Sequence, residues 1–223
     1  MIKAVIFDMY ETLVTLFESP MYFSRDMAKD AGIDPAIFKE AWTKTISDRT
    51  LGLVTYEDVI EKILRDNDCF TQDKLLLLSK KRTECKAEVF NHMNPEIIPM
   101  LNALKEKGLK IGLISNCFSE EAKVIKESIL FPYFDAILLS FDEKICKPDT
   151  RIFFRCLEKL NLKAEECLYI GDGGSQELET AAALNMKSAQ AATWYLKDGV
   201  DQPVSRLDGF IHLENPMEVL KLI

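Results

Sequence analysis

The chain has 223 residues, with 36 Asp and Glu against 28 Lys and Arg and a formal net charge of -8. That acidic balance argues against a nucleic-acid partner, because a phosphate backbone rewards a basic face. Hydrophobic residues at 48% and charged residues at 29% suit a globular chain long enough to bury a substantial core, and no apolar run exceeds strand length, which argues against a membrane span.

The first predicted element is the most informative. Ala4, Val5, Ile6 and Phe7 form an apolar run too short for a helix, and it reads as a buried parallel strand. Asp8 follows abruptly at its carboxyl end. A carboxylate is costly to desolvate, and ligands of open α/β sheets sit beyond the carboxyl ends of the strands. Asp8 is therefore a candidate reactive group, with turn capping as the plain alternative. The N-terminus also meets this acid before a signal-peptide core can build up, so the protein is expected in the cytoplasm.

From about Pro20 to His92 the pattern is helical throughout. Segments 21–32, 35–46, 55–67 and 71–90 carry apolar residues at three- and four-residue spacing, as in Val59, Ile60, Ile63 and Leu64. Gly32, Asp34-Pro35, Thr55 and Thr71 supply stop and start signals. From Asn94 onward helix and strand alternate. Helices are predicted at 95–107, 119–128, 149–160 and 176–184, and strands at 109–114, 136–139, 167–170, 187–191 and 210–213, with a short helix opened by Pro216. Such alternation implies right-handed crossovers and a parallel sheet. The fold class is α/β: a Rossmann-like parallel sheet core, expected from 1–16 and 93–223, with an inserted all-helical domain from 17–92.

Three more polar clusters each follow a strand of their own. Ser115 and Asn116 can bind phosphate or carboxylate oxygens, and helix capping by Asn116 or Ser119 competes with that role. Lys147, before Pro148 and Asp149, can neutralise Asp8 and a substrate oxyanion, with Lys144 as the fallback. Asp172 follows Gly171, and Gly173, Gly174 and Ser175 let the backbone come close beside it. The six cysteines form no CxxC pair and only two histidines exist, which points to free thiols. Cys117 and Cys146 lie nearest the polar clusters.

In order, Asp8-Met9-Tyr10-Glu11-Thr12-Leu13, Ser115-Asn116, Lys147-Pro148 and Gly171-Asp172 with Glu177 resemble the four motifs of the haloacid dehalogenase-like hydrolase superfamily across nearly the whole chain. The resemblance implies a helical cap between the first two motifs and a nucleophilic Asp8 steadied by Thr12. It also implies magnesium held by Asp8, the Tyr10 carbonyl, Asp172 and Glu177; oxygen-only ligands suit that ion. Two positions depart from the pattern. Phosphatases carry a second Asp, an acid and base, where this chain has Tyr10, whose phenol has an ordinary pKa of about 10 and is a poor base at neutral pH. Glu11 replaces the usual Gly, either as a displaced acid/base or as an exposed side chain.

Tyr at position 10 is similar to the metal-independent dehalogenases, whereas Asp172 argues for a metal. Arg49 with Gly52 resembles the specificity loop of the cap, where Arg would suit a carboxylate or phosphate of the substrate; an exposed, salt-bridged Arg is the alternative. Trp42, Phe17 and Tyr22 are candidate pocket residues. The expected activity is a magnesium-dependent phosphatase of a small phosphorylated metabolite, acting as a monomer or weak homodimer without nucleic-acid or membrane partners. Asp8, Tyr10, Thr12, Ser115, Asn116 and Lys147 form the catalytic set, and Arg49, Ser115 and Asn116 bind substrate. The alternatives are a metal-independent 2-haloacid dehalogenase and a weakly active or non-catalytic binding protein of the same fold.

Overall fold

A computed structural model of the chain describes residues 1–191 and 206–223. At its centre is β1 (Ala4–Phe7), every residue of which is fully buried. The chain then runs through α1 (Ser24–Ala31), α2 (Pro35–Lys44), α3 (Ile46–Thr50), α4 (Tyr56–Asp66) and α5 (Gln72–Glu88). It returns to the sheet through α6 (Ile97–Glu106) and β2 (Lys110–Ser115). Next come α7 (Ser119–Glu127), β3 (Ala136–Leu139), α8 (Ser140–Glu143), α9 (Thr150–Leu160), β4 (Cys167–Gly171), α10 (Glu177–Ala183), β5 (Lys187–Gln190) and β6 (Ile211–His212).

The strands of the described residues pair in parallel in the order β3-β2-β1-β4-β5-β6, so the α/β parallel sheet read from the alternation is present. Strand side chains alternate between faces. Val5 and Phe7 pack with Ile97, Leu101 and Ile125 on one face, and Ala4 and Ile6 with Ile152, Phe153 and Leu178 on the other. Each large apolar side chain so buried contributes about 1.5–3 kcal/mol, so β1 cannot shift register without losing both layers. Asp8 N still donates to Ile170 O at 2.9 Å, which fixes the aspartate one residue beyond the strand.

The helices between β1 and β2 have an apolar cluster of their own, including Met27, Phe38, Tyr56, Ile60, Leu64 and Leu78. Their boundaries follow local chemistry. The Asp34 carboxylate accepts from Ala36 N and Ile37 N, with Pro35 opening α2. Thr55 and Thr71 accept from Asp58 N and Lys74 N, and Gly32 reverses the chain at φ 73° after α1.

The structure corrects several sequence expectations. The helix expected to run to residue 46 stops at Lys44, because Thr45 Oγ1 folds back onto Trp42 O at 2.9 Å, and the separate α3 follows. The short α8 lay inside a presumed loop, and the last helix is a 3-10 segment, Pro216–Lys221. Neither Asn116 nor Ser119 caps α7: the Glu121 carboxylate takes the free Phe118 N–H at 2.9 Å, while Ser119 Oγ accepts from Tyr56 N at 2.8 Å.

Ser119 thereby joins a polar seam between the helical insertion and the sheet domain. Arg82 pairs with Glu120 at 3.1 Å and Lys86 with Glu121 at 2.6 Å, all four buried. Lys144 Nζ donates to Gly52 O at 2.5 Å. Among the described residues no helix is long and apolar enough to cross a membrane.

Candidate active site

Four strand ends deliver the site. Asp8 leaves β1, Ser115 closes β2, Lys147 follows β3 and α8, and Asp172 leaves β4. All four side chains are buried. Lys147 Nζ lies 2.6 Å from Asp8 Oδ1 and also contacts Glu177 Oε2. Asp8, Asp172 and Glu177 each place a carboxylate oxygen within 4.8 Å of the other two.

Each group is held by its surroundings. Thr12 Oγ1 donates to Asp8 Oδ2 at 3.3 Å. The Asn116 side chain donates to Lys147 O at 3.0 Å and accepts from Lys147 N at 2.8 Å, and it also donates to Ser175 Oγ at 3.2 Å. Its amide therefore fixes the lysine loop. Asp149 accepts from Arg151 N at 2.9 Å and opens α9 directly after that loop. Gly174 N donates to Asp172 Oδ1 at 2.8 Å, and Glu177 accepts from Tyr169 Oη at 2.9 Å and Gly173 N at 3.2 Å. A side chain at position 171 would overlap the Glu177 carboxylate, so glycine there makes room for the second acid.

Burial and charge set the protonation of the cluster. Burial pushes Asp8 up to about 6; Lys147 draws it back and Glu177 adds to the rise. Asp172 also rises to about 6, through burial and then the charge of Asp8. Burial raises Glu177, against the pull of Lys147. Burial alone would lower Lys147, yet Asp8 and Glu177 hold its ammonium above the ordinary range. Three carboxylates face one ammonium, a surplus of two negative charges when all are ionised. Hard oxygen donors, surplus negative charge and mutual closeness fit a divalent cation such as magnesium.

The two departures from the motif pattern resolve differently. Tyr10 is packed with Lys86 Nζ 5.3 Å from its ring centre, and its buried hydroxyl has no hydrogen-bond partner among the described residues. Burial, then Glu121, raises its pKa well above the ordinary value, so the phenol stays protonated. Glu11 is half-buried rather than exposed. Its carboxylate accepts from Thr15 Oγ1 at 2.5 Å and Leu16 N at 2.9 Å, and at φ 57° it occupies the left-handed conformation that a glycine would adopt without cost.

Arg49 is fully buried, which corrects the exposed alternative. Its guanidinium lies 3.5 Å from the Trp42 ring centre and 4.1 Å from that of Phe118. Burial lowers its pKa to about 10. Arg49 and Trp42 line one cavity together with Phe23, Lys86 and Phe118. Phe17 is exposed, and Tyr22 Oη is bound to Asp30 at 2.7 Å. Lys144 sits at the Gly52 contact, so Lys147 is the lysine of the cluster. All six cysteines are free thiols.

Two further residues support the site: Tyr169, which in sequence looks like core inside β4, and Gln190, whose Nε2 donates to Asp172 O at 2.8 Å. Gln190 is a polar residue ending a strand, the same signal that singled out Asp8. The charges Arg82, Lys86, Glu120 and Glu121 are buried, although at helical spacing they read in sequence as a solvated face.

A parallel sheet with a helical insertion after its first strand, and an aspartate, a lysine and two further acids at its carboxyl edge, make an α/β architecture with one buried polar site. The model of the haloacid dehalogenase-like hydrolase family matches residues 2–185, and the chain belongs to that family. It is 28% identical over 214 residues to a glyceraldehyde 3-phosphate phosphatase of Methanocaldococcus jannaschii, covering 92% of this chain and 91% of that one. It is 28% identical over 224 residues to a phosphoglycolate phosphatase of Aquifex aeolicus, covering 99% and 96%. Its fold superposes on the crystal structure of a HAD phosphatase from Thermococcus onnurineus with a TM-score of 0.68 at 20% identity, covering 99% and 97%.

Proposed function

We propose that the protein is a magnesium-dependent phosphatase of a small phosphorylated metabolite in the cytoplasm, with Asp8 as nucleophile and the helical insertion, taken as residues 17–92, as its cap. The observation that carries this reading is the buried cluster of Asp8, Lys147, Asp172 and Glu177 at one sheet edge. The names of the two relatives, both phosphatases of small phosphorylated compounds, support the substrate class.

An Asp8 oxygen attacks phosphorus, the bond from phosphorus to the leaving oxygen breaks, and an aspartyl phosphate forms; water then attacks that phosphorus and restores the carboxylate. Lys147 and the Ser115 hydroxyl, which is buried with no hydrogen-bond partner among the described residues, face the phosphoryl oxygens as charge develops. Thr12 fixes the nucleophile and Asn116 fixes Lys147. Asp8, Asp172, Glu177 and the Tyr10 carbonyl would hold magnesium, which when bound supplies the countercharge that the surplus carboxylates require. The leaving oxygen takes its proton from water, and the buried Tyr10 phenol, beside Glu121, Cys117 and Glu120, stays protonated. Its raised pKa suits it poorly to take a proton from water, so hydrolysis of the aspartyl phosphate is the slow step.

A panel of phosphate monoesters assayed with magnesium tests the proposal. Turnover no higher than that of an Asp8→Asn control refutes it. A second reading, metal-independent 2-haloacid dehalogenation through attack of Asp8 on carbon, is favoured by Tyr10 and by Lys147 lying between Asp8 and Glu177. Halide release from a 2-chloro acid in chelator would establish it.

A further inference from the structure

The two acids that follow β4 are held differently. Asp172 accepts the Gly174 N–H on Oδ1. Glu177 accepts three donors: Gly173 N on Oε1 at 3.2 Å, and on Oε2 both Tyr169 Oη at 2.9 Å and Lys147 Nζ. A carboxylate has about four lone-pair sites, two on each oxygen. Oε2 is therefore filled, and one site is left on Oε1.

Two of these donors have other reasons to be there. Lys147 also binds Asp8, and Gly173 N belongs to the backbone of the turn. Tyr169 lies outside the motif segments, at the centre of β4, where its backbone is flanked by Ile6 of β1 and Ser188 of β5. Its side chain is fully buried, with the ring centre 5.5 Å from that of Phe153. Phenylalanine would fill the same volume, so packing alone does not call for the hydroxyl. On its other side the acid is confined by Gly171, where a Cβ would come within 2.0 Å of Oε1.

We propose that Tyr169 is a positioning residue for the metal: by occupying Oε2 it restricts Glu177 to a single ligand oxygen, Oε1, and so makes the cluster select magnesium over calcium. This deepens the magnesium-dependent reading and rests on it. Magnesium demands a near-octahedral shell, keeps several waters and is satisfied by single carboxylate oxygens, whereas calcium takes six to eight oxygens and accepts both oxygens of one carboxylate. With the phenol in place Glu177 cannot offer that pair. Without it, Oε2 regains a lone-pair site and the acid can present both oxygens to the larger ion.

The test is calorimetry of magnesium and of calcium binding to the metal-free wild type and to Tyr169→Phe, which keeps the ring and its packing. The affinity ratio should shift toward calcium at least ~10-fold in the variant, through tighter calcium binding with magnesium unchanged or weaker. In magnesium-supported hydrolysis of a phosphate monoester, calcium should inhibit the variant at roughly ten-fold lower concentration than the wild type. A loosened core would weaken both ions alike and leave the ratio in place. A ratio that is unchanged, or that moves toward magnesium, in folded Tyr169→Phe overturns the selectivity role and leaves the magnesium-dependent reading standing. A wild type that binds neither ion refutes magnesium dependence, and the selectivity with it.

Discussion

Replacing Asp8 by Asn should abolish turnover and yet stabilise the metal-free protein. Burial holds the Asp8 carboxyl at about 6 against its ordinary 3.8, with Lys147 opposing and Glu177 reinforcing the rise. At about 1.4 kcal/mol per pH unit, ionised Asp8 costs the folded chain about 3 kcal/mol. The sign follows from linkage: the folded state binds this proton more tightly than the unfolded chain, so stability falls as pH rises from 3.8 to about 6 and the penalty is complete above that window. Asn mimics the protonated acid at every pH. In chelator at pH 8, Asp8→Asn should melt roughly 6–12 °C above the wild type, at about 2–4 °C per kcal/mol for a chain of this size. The difference should vanish toward pH 4, and saturating magnesium should raise the wild type more than the variant. Thermal melts of both proteins at pH 4, 6 and 8 decide the matter. A variant that melts at or below the wild type at pH 8 in chelator would refute the idea that this carboxylate is held ionised at a cost to folding.

Tyr10→Asp should raise phosphatase turnover at least ~10-fold, because it supplies the missing acid and base; steady-state rates that stay level in a folded variant would show that position 10 does not limit the reaction. Gly171→Ala drives a methyl group into the Glu177 carboxylate, so it should cost about 1–3 kcal/mol in urea unfolding and weaken magnesium binding; a neutral substitution would contradict the packing argument. Glu121→Ala leaves Lys86 without its carboxylate, and a loss of about 3–5 kcal/mol is expected. A change under about 1 kcal/mol would mean that water or Glu120 compensates.

The sheet was legible because its strands are short apolar runs closed by turn signals, and the place of Asp8 at the sheet edge because a buried apolar strand ends abruptly in an acid. AVIF before Asp8 and CLYI before Gly171-Asp172 show both signals. What could not be read depends on contacts between distant segments. The break between α2 and α3 follows from Thr45 and Arg49 folding back onto Trp42, and no periodicity encodes that. Arg82, Lys86, Glu120 and Glu121 look like solvated helix faces until α5 meets α7 and buries them. Glu11 shows the same limit at one residue: its left-handed backbone is usual for glycine, and only the Thr15 and Leu16 contacts explain how a glutamate occupies it.

In the proposed mechanism the Asp8 carboxylate becomes covalently phosphorylated during turnover. Acid quench during steady-state turnover of a phosphomonoester, followed by borohydride reduction and peptide mass spectrometry, reads this directly, because an aspartyl phosphate is reduced to homoserine. Homoserine is expected at position 8, dependent on substrate and magnesium. Unmodified Asp8 in enzyme quenched while it turns over, or reduction at another carboxylate, would contradict it.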